Sequence, residues 1–147
     1  GAWIAPEYTD LKSLQFHAEF DAKWTDKFHL WLKGDYRSLN KRLSYVPEIE
    51  LGLYGAYHYN DQWFISSSVR YLGEREALSF NEGLYCYSEE ADVLSTVLDV
   101  NLKVNFAYNK QLGFYLVALN LLDQDFILWQ QNPVLGRQIN FGAKYRF

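Results

Sequence analysis

No stretch of this chain approaches the roughly 18 to 20 consecutive apolar residues that a membrane-spanning helix needs. The sequence has no methionine and no apolar signal segment at its start, so we expect a mature or excised chain whose signal peptide was lost upstream. Its one cysteine, Cys86, has no second cysteine for an internal disulfide. Cys86 is then a free thiol or the partner of a cysteine outside this sequence. The net charge of −4 and the lack of a basic stripe argue against a nucleic-acid-binding protein.

Aromatic residues are abundant, yet the mean hydropathy is low. Phe, Trp and Tyr make up 18% of the 147 residues, while the mean hydropathy is −0.27. Alternation of apolar and polar residues produces both values, because each apolar residue is averaged against a polar neighbour. The last strand shows this pattern, with every second residue apolar from Ile139 to Phe147. One face of such a strand meets lipid and the other meets water, as in a transmembrane barrel.

The same alternation predicts an all-β chain of about seven antiparallel strands in a single domain. The predicted strands are 13–24, 28–36, 48–59, 63–72, 94–108, 112–121 and 136–147. We expect their apolar faces to contact lipid, at positions that include Leu14, Phe20, Leu30, Leu53, Leu102 and Val104. No segment carries a helical period.

The connections between these strands alternate in length. Three are short and polar, at 25–27, 60–62 and 109–111, and three are long, at about 37–47, 73–93 and 123–135. Outer-membrane barrels have this asymmetry, with short turns on the periplasmic side and long loops outside. The sequence therefore predicts that the long loops are external.

Three-residue turns also predict the cross-strand register. They place Trp24 opposite Phe28 and likewise Tyr59 opposite Trp63 and Tyr108 opposite Leu112, so the apolar faces coincide in all three hairpins. The polar face then brings together two pairs, Glu19 with Lys33 and Lys23 with His29.

Outward aromatics near the short turns predict an interfacial belt, formed by Trp24, Phe28, Tyr59, Trp63 and Tyr108. Amphipathic rings favour the headgroup layer of a membrane. A strand of ten steps, tilted by about 40°, rises roughly 25 Å, the height of an outer-membrane apolar band. A lipocalin-like barrel or a β-sandwich also alternates, but it explains neither the belt nor the one-sided loop lengths.

An odd strand count has a consequence for closure. Single-chain bacterial barrels have even strand numbers, and seven strands leave two edges open. We therefore expect a piece of a larger barrel, or a chain whose edges at 13–24 and 136–147 pair with other strands. Residues 1–12 are then the end of an external loop, and 13–147 are strands and loops.

Two segments resemble TonB-dependent outer-membrane receptors. Residues 118–126, with Asn120, Leu121 and Asp123, are similar to the stretch that closes the penultimate strand of those receptors, and 136–147 is similar to their last strand. Residues 100–106 are similar in style to Bacteroidetes members. The aromatic ending, with Phe141, Tyr145 and Phe147, resembles the C-terminal assembly signal of outer-membrane barrels in general.

The resemblance implies a transport function in the bacterial outer membrane, as the C-terminal wall of a ligand-uptake receptor. Its expected partners are membrane lipid, the outer-membrane assembly machinery, the remaining barrel strands or another subunit, and a plug domain with TonB. The alternative is a small complete outer-membrane barrel with a structural, adhesive or porin role. An upstream plug-like sequence would distinguish the two.

The remaining candidate sites are weaker. Inward-facing His17, His29 and His58 are better explained as polar lining than as metal ligands, and Ser66 near His58 lacks a nucleophile elbow. We therefore predict no enzyme activity, no metal and no cofactor. An acidic loop at 74–93 favours a solvated surface over calcium binding. A possible external ligand surface consists of Tyr85, Tyr87, Glu89, Glu90, Phe126 and Trp129.

Overall fold

The computed structural model describes residues 12–40, 45–81, 86–129 and 132–147, and the side chains of 12–40, 45–77, 92–128 and 134–147. Residues 1–11, expected to be an external loop, lie outside this part. The described strands are β1 (Ser13–Thr25), β2 (Phe28–Leu39), β3 (Ile49–His58), β4 (Trp63–Leu72), β5 (Arg75–Asn81), β6 (Cys86–Leu94), β7 (Val97–Ala107), β8 (Leu112–Leu119), β9 (Ile127–Trp129), β10 (Asn132–Pro133) and β11 (Gln138–Tyr145).

Seven of these strands form one antiparallel sheet in the order β1-β2-β3-β4-β7-β8-β11. The predicted all-β antiparallel architecture is confirmed. The strands differ from the predicted ones mainly at their loop ends, where β2 extends to Leu39 and β7 begins at Val97 rather than at 94. Within the described ranges, no helix is long and apolar enough to cross a membrane.

Side chains close the three short turns. In the second turn the Asn60 Oδ1 atom accepts hydrogen bonds from two backbone N–H groups, those of Gln62 and Trp63, each at 2.9 Å. Asn109 Oδ1 does the same in the third turn, at 2.8 and 2.7 Å. In the first turn the Thr25 hydroxyl accepts from Lys27 N at 3.2 Å and from Phe28 N at 3.0 Å. Short polar side chains that bind the backbone two and three residues ahead therefore stabilise each turn.

The predicted register is confirmed along the hairpins, with one local correction. Glu19 pairs with Lys33 and Lys23 with His29, as expected. The predicted pairing of Trp24 with Phe28 is wrong, because the register shifts at Trp24 and Phe28 pairs with Thr25. Trp24 is the extra residue of a β-bulge, which shortens the turn to Asp26-Lys27 and leaves the rest of the hairpin in register.

The sheet has one apolar and one polar face. The exposed apolar side chains on the first face include Leu14, Phe16, Phe20, Leu32, Leu51 and Leu53. Ser67 interrupts this face, and its hydroxyl donates to the Asn101 backbone carbonyl at 3.0 Å. A hydroxyl bonded to the backbone is tolerated in an apolar setting, since its polar atoms have a partner.

The two longest connections contain additional strands that the sequence pattern did not predict. The expected loop at 73–93 holds the β5–β6 hairpin, and the expected loop at 123–135 holds the short β9–β10 pair. Neither segment has the sustained alternation of the large sheet. In each hairpin the two strands pair because they are close together in the sequence. Arg75 of β5 also contacts the Ile127 carbonyl of β9, which links the two hairpins.

The large sheet is open. β1 and β11 are its two end strands, and no other described strand pairs with the outer edge of either one. Each end strand therefore presents unpaired backbone groups along one side.

Gly142 in β11 leaves room for the aromatic ring of its cross-strand partner, Tyr115. A Cβ atom added to Gly142 would overlap that ring, at 2.6 Å from Tyr115 Cε1. At Gly55 in β3, by contrast, an added Cβ atom would meet no heavy atom within 4 Å. Both glycines lie inside a strand, but only Gly142 has a neighbouring side chain in the space that a Cβ atom would take.

We predict that Gly142→Ala destabilises the protein by about 1–3 kcal/mol, because the methyl group displaces the Tyr115 ring. The matched variant Gly55→Ala should stabilise it by about 0.5–1 kcal/mol, since alanine loses less backbone entropy in a strand. Equilibrium urea unfolding in detergent measures both. Combining Gly142→Ala with Tyr115→Ala should remove most of the penalty; an unchanged penalty would mean that the ring is not its cause.

Leu102 tests the assignment of the apolar face. It lies in β7 between Ser67 of β4 and Ala118 of β8. If this position is near the bilayer midplane, Leu102→Arg should cost about 2–4 kcal/mol. Unfolding from lipid vesicles measures this cost. Lys103→Arg, one residue along on the polar face, is the control and should have almost no effect.

Candidate functional site

Histidine–carboxylate pairs line the polar face on β1 and β2. His17 Nδ1 lies 2.7 Å from Asp35 Oδ1, and His17 Nε2 lies 3.1 Å from Glu19 Oε1. His29 Nε2 contacts Asp21 Oδ1 at 2.8 Å. The register therefore brings polar partners together. His29 lies opposite Lys23 in the register, but its side chain contacts Asp21. These contacts give both imidazoles a structural role in the polar lining.

An ionic chain continues from these pairs across β2, β3 and β4. Glu50 forms an ion pair on each side, with Arg37 Nη1 at 3.6 Å and with Arg70 Nη2 at 3.2 Å, and it also accepts a hydrogen bond from Arg70. Arg70 is in turn the cross-strand partner of Asp99 on β7. The charges alternate along the chain, so this face has no field of a single sign. Such a lining fits a hydrogen-bonded interior better than an ion-selective filter.

The histidine and serine residues that were weighed as catalytic or metal-binding candidates have structural contacts. Among the described residues, no group of three or more His, Cys, Asp or Glu side chains is placed to hold a metal ion. The His58 ring packs on Phe64, with centroids 4.5 Å apart. Ser66 is buried, and Ser68 Oγ accepts a long hydrogen bond of 3.5 Å from Asn101 Nδ2.

A small apolar core lies at the loop end of the sheet. Leu72 at the end of β4 and Val97 at the start of β7 pack with Phe126 from the last loop. Leu128 and Val134 pack against this cluster. Leu72 and Val97 share the polar face with Arg70 and Asp99 by strand alternation, so Phe126, Leu128 and Val134 of the last loop pack over that face.

Asn120 attaches this segment to the sheet. The residue is 3% exposed and takes a left-handed backbone conformation, with φ 49°. Its backbone N–H donates to Asn101 Oδ1 at 3.0 Å, and its Nδ2 donates to the carbonyls of Gln124 at 2.9 Å and Leu135 at 3.3 Å. Its Oδ1 accepts from Gln124 N at 3.1 Å. One buried amide thus joins the end of β8 to both ends of the last loop.

Asp123 completes the connection. It also takes a left-handed conformation, with φ 53°, and its Oδ1 accepts from Arg137 N at 2.7 Å, just before β11. Asn and Asp tolerate this backbone region better than other non-glycine residues. Asn120 and Asp123, both within the stretch 118–126, therefore hold the two ends of the last loop together. Asn101 of β7 binds the backbone N–H of Asn120 and so attaches this stretch to the sheet.

Arg75 joins the β5–β6 hairpin to β9. It is 4% exposed; its Nη1 donates to the Ser95 carbonyl at 3.2 Å, and its Nη2 donates to the Ile127 carbonyl. Burial, with a smaller contribution from Arg70, lowers the pKa of the Arg75 guanidinium from its ordinary value. The group stays protonated, because arginine keeps its charge in proteins. Sequence reasoning missed Arg75, since a lone arginine in a predicted loop carries no signal.

Comparison with known proteins supports the fold. No family model matches the sequence, and no curated protein matches it. The ferripyoverdine receptor of the outer membrane of Pseudomonas aeruginosa aligns over 92% of this chain, with 15% identity and a TM-score of 0.77. The ferric-catecholate import receptor Fiu from E. coli K12, in its open form, aligns over 93%, with 17% identity and a TM-score of 0.77. The siderophore receptor PiuA from Acinetobacter baumannii aligns over 92%, with 14% identity and a TM-score of 0.71.

The chain has the fold of a section of these receptor barrels. It spans about a fifth of their length, between 19% and 22% of each of the three chains. At this level of identity the likeness establishes the architecture and nothing about the ligand.

The residues predicted for assembly and for the aromatic belt lie on the apolar face. Phe141, Tyr145 and Phe147 are exposed, as are Trp24, Tyr59, Trp63 and Tyr108, while Phe28 is half-buried. Ring contacts connect neighbours in this region: Phe28 with Tyr57, Tyr57 with Tyr59, and Tyr145 with Phe147. The roles of these residues in assembly and at the membrane interface stay predictions.

Most of the predicted external ligand surface lies outside the described side chains. Tyr85 lies outside the described residues, as do the side chains of Tyr87, Glu89, Glu90 and Trp129. Phe126 is only 7% exposed, because its ring packs against Leu72 and Val97. As placed, the Phe126 ring packs beneath the last loop, and the external ligand surface stays a prediction.

We predict that Asn120→Ala destabilises the protein by about 1–3 kcal/mol, because it leaves the partly buried backbone groups of Gln124 and Leu135 without these partners. It should also speed protease cleavage within 123–135, which whole-cell proteolysis followed by mass spectrometry measures. Asn120→Gly keeps the left-handed backbone and loses only the side-chain bonds, so an equal effect assigns the loss to the amide. A silent Asn120→Gly would assign it to backbone strain instead.

Proposed function

We propose that this chain is the C-terminal wall of an outer-membrane barrel of the TonB-dependent receptor type, which takes up a ligand across the bacterial outer membrane. The single observation that carries this proposal is the alignment of over nine-tenths of the chain with three siderophore receptor barrels. Those proteins import or bind iron-carrying ligands, and the chemical class of ligand for this chain follows from them only by analogy.

The two faces of the sheet fit a barrel wall. Exposed apolar side chains, including Phe20 and Phe141, cover one face, and the ionic chain through Glu50 covers the other. In a soluble protein the apolar face would need a covering layer, which no described segment supplies. Membrane lipid is the covering that this proposal assigns to it.

The proposed partners follow from the open sheet and from the family resemblance. The edges of β1 and β11 would pair with other strands of the same barrel or with another subunit, since unsatisfied backbone groups in lipid cost several kcal/mol each. A plug domain and TonB would supply the transport mechanism, and the assembly machinery would act on the aromatic C-terminal strand. We also propose a Bacteroidetes-type source for the chain, and the similarity in style of residues 100–106 supports it.

A small complete barrel with a structural, adhesive or porin role is the second candidate. It requires β1 and β11 to pair with each other, or β1 to pair with residues near the start of the chain. The open sheet order favours the first candidate.

Cysteine cross-linking in the membrane distinguishes the receptor wall from a small barrel that closes by pairing of β1 with β11. In a Cys86→Ser background, cysteines at Ala18 or Ala22 of β1 are combined with cysteines at Ile139 or Ala143 of β11. We expect no disulfide within the chain from any pair, because the receptor proposal keeps the two edges apart. The readout is mobility on non-reducing gels after mild oxidation of isolated outer membranes.

The positive control is a pair that the structure places side by side, Ala18→Cys with Gly34→Cys. Directly opposite residues in an antiparallel pair lie about 4.5–5.5 Å apart at Cα, within the range of a disulfide. A β1–β11 disulfide in the same preparation would contradict the receptor-wall proposal and support the small barrel.

A further inference from the structure

A pocket of about 310 Å³ lies at the short-turn end of the sheet, beside the turn that joins β7 to β8. Three cationic side chains line it: Lys110 in the turn, Lys144 in β11 and Arg146 just after β11. Lys144 lies on the polar face, because its row of cross-strand partners leads through β8 to the face of β7 that carries Lys103. No acidic residue is among the described residues that line this pocket. The pocket is therefore positively charged, although the net charge of the chain is −4.

The three cations of the pocket have no carboxylate partner in the part of the chain that the structure describes. Neither β8 nor β11 contains an acidic residue, and Asp99, the acidic residue of β7, lies near the opposite end of its strand. At the loop end of the sheet, by contrast, Arg37 and Arg70 both form ion pairs with Glu50. The charge of the pocket is therefore available to an anion from solution.

The turn beside the pocket also presents hydrogen-bond donors. Asn109 Oδ1 accepts from the backbone N–H groups of Gln111 and Leu112, so the NH₂ donor is the group of this amide that remains available. The Leu112 carbonyl accepts from Asn109 N at 3.1 Å, and the Gln111 carbonyl accepts from Arg146 N at 2.9 Å. These acceptors are already engaged, while the Asn109 amide can donate to an oxygen of a bound anion.

The second short turn of the sheet has nearly the same sequence but the opposite charge. Residues 60–62 are Asn-Asp-Gln and residues 109–111 are Asn-Lys-Gln, and the first asparagine closes both turns with the same pair of hydrogen bonds. The pocket beside the second turn is lined by two acidic residues, Asp26 and Asp61. A turn of this kind therefore folds with either charge at its centre, and the cation at Lys110 is not required to form it.

Three cations around one pocket favour a polyvalent oxyanion. A phosphate group carries a charge of about −1.5 to −2 at pH 7 and has several strong acceptor oxygens. Ammonium and guanidinium groups donate charge-assisted hydrogen bonds to such oxygens. Lys110, Lys144 and Arg146 are all exposed, so salt screens their attraction for the anion and binding is strongest at low ionic strength.

We propose that this pocket is a binding site for a phosphate group. Because the pocket lies on the polar face, free phosphate or a small phosphorylated solute in water is the favoured source. A phospholipid headgroup that reaches around the end of the sheet is the other source of the same chemistry. The position of the pocket at the periplasmic mouth of a barrel rests on the proposed receptor function, whereas the site itself rests on the three cations and on the turn.

Inorganic phosphate is the first probe for this site. The outer-membrane protein that carries this chain is purified in a nonionic detergent at low ionic strength, and the line width of phosphate in phosphorus NMR reports binding. We expect saturable binding that Lys110→Asp weakens by at least about tenfold, because an anion replaces a cation beside the ligand. Lys27→Asp makes the same change in net charge in the first turn and should alter binding by less than about twofold.

A second variant covers a failure of Lys110→Asp to assemble. Lys110→Gln removes the charge without adding an anion and should weaken phosphate binding by at least about threefold. Equal weakening by Lys27→Asp and by the substitutions at Lys110 would show that net charge alone attracts phosphate, and it would overturn the site.

Dihexanoyl phosphatidylglycerol, added below its micelle-forming concentration, separates the two sources. Binding of inorganic phosphate that depends on Lys110 supports a solute as the occupant. Binding of the lipid alone, again dependent on Lys110, supports the phosphate site and assigns it to a headgroup. If neither probe binds in a way that depends on Lys110, the proposed site is wrong.

These titrations need no transport, so they fail or succeed independently of the receptor proposal. A β1–β11 disulfide combined with the expected phosphate result would overturn the receptor wall and leave the phosphate site in place. Open edges without binding that depends on Lys110 would do the reverse.

Discussion

Cross-strand register is the constraint on which the other features of this molecule depend. Side chains in a strand alternate between two faces, so a shift of one residue would exchange the faces of an entire strand. Short turns closed by Thr25, Asn60 and Asn109 limit such shifts. The bulge at Trp24 shows how the first hairpin absorbs a local irregularity without losing the pairing of Glu19 with Lys33. The apolar face and the ionic chain through Glu50 both follow from this register.

On the polar side of the sheet, opposite charges form ion pairs and a buried side-chain amide forms hydrogen bonds. Arg37 and Arg70 share Glu50, while Asn120 satisfies its own polar groups and those of the loop around it. Buried polar groups stabilise a structure only when each has a partner, and removing one leaves the others unsatisfied. This explains how a chain with few deeply buried apolar residues keeps its last loop in one position over the sheet.

The likeness to siderophore receptors and the open sheet point to the same interpretation by different routes. The comparisons match nearly all of this chain to about a fifth of each larger barrel. The sheet order, taken alone, leaves two edges that a membrane would not tolerate. Fold does not determine function, however, and function must be argued from the chemistry of a site.

Alternation and turn chemistry were enough to predict the antiparallel sheet, the strand pairs and the polar face from the sequence, because each is a local pattern with a fixed period of two. The resemblance of residues 118–126 to a receptor family also drew attention to the segment that contains Asn120 and Asp123. The bulge at Trp24, the β5–β6 and β9–β10 hairpins and the buried position of Phe126 were not predictable in the same way. They depend on contacts between residues far apart in the chain, such as Arg75 with the Ile127 carbonyl, and periodicity carries no information about such contacts. The sequence by itself determined the sheet and its two faces, whereas only the tertiary structure decided how Phe126 and Leu128 of the last loop pack over the polar face, because contacts between residues far apart in the chain set that position.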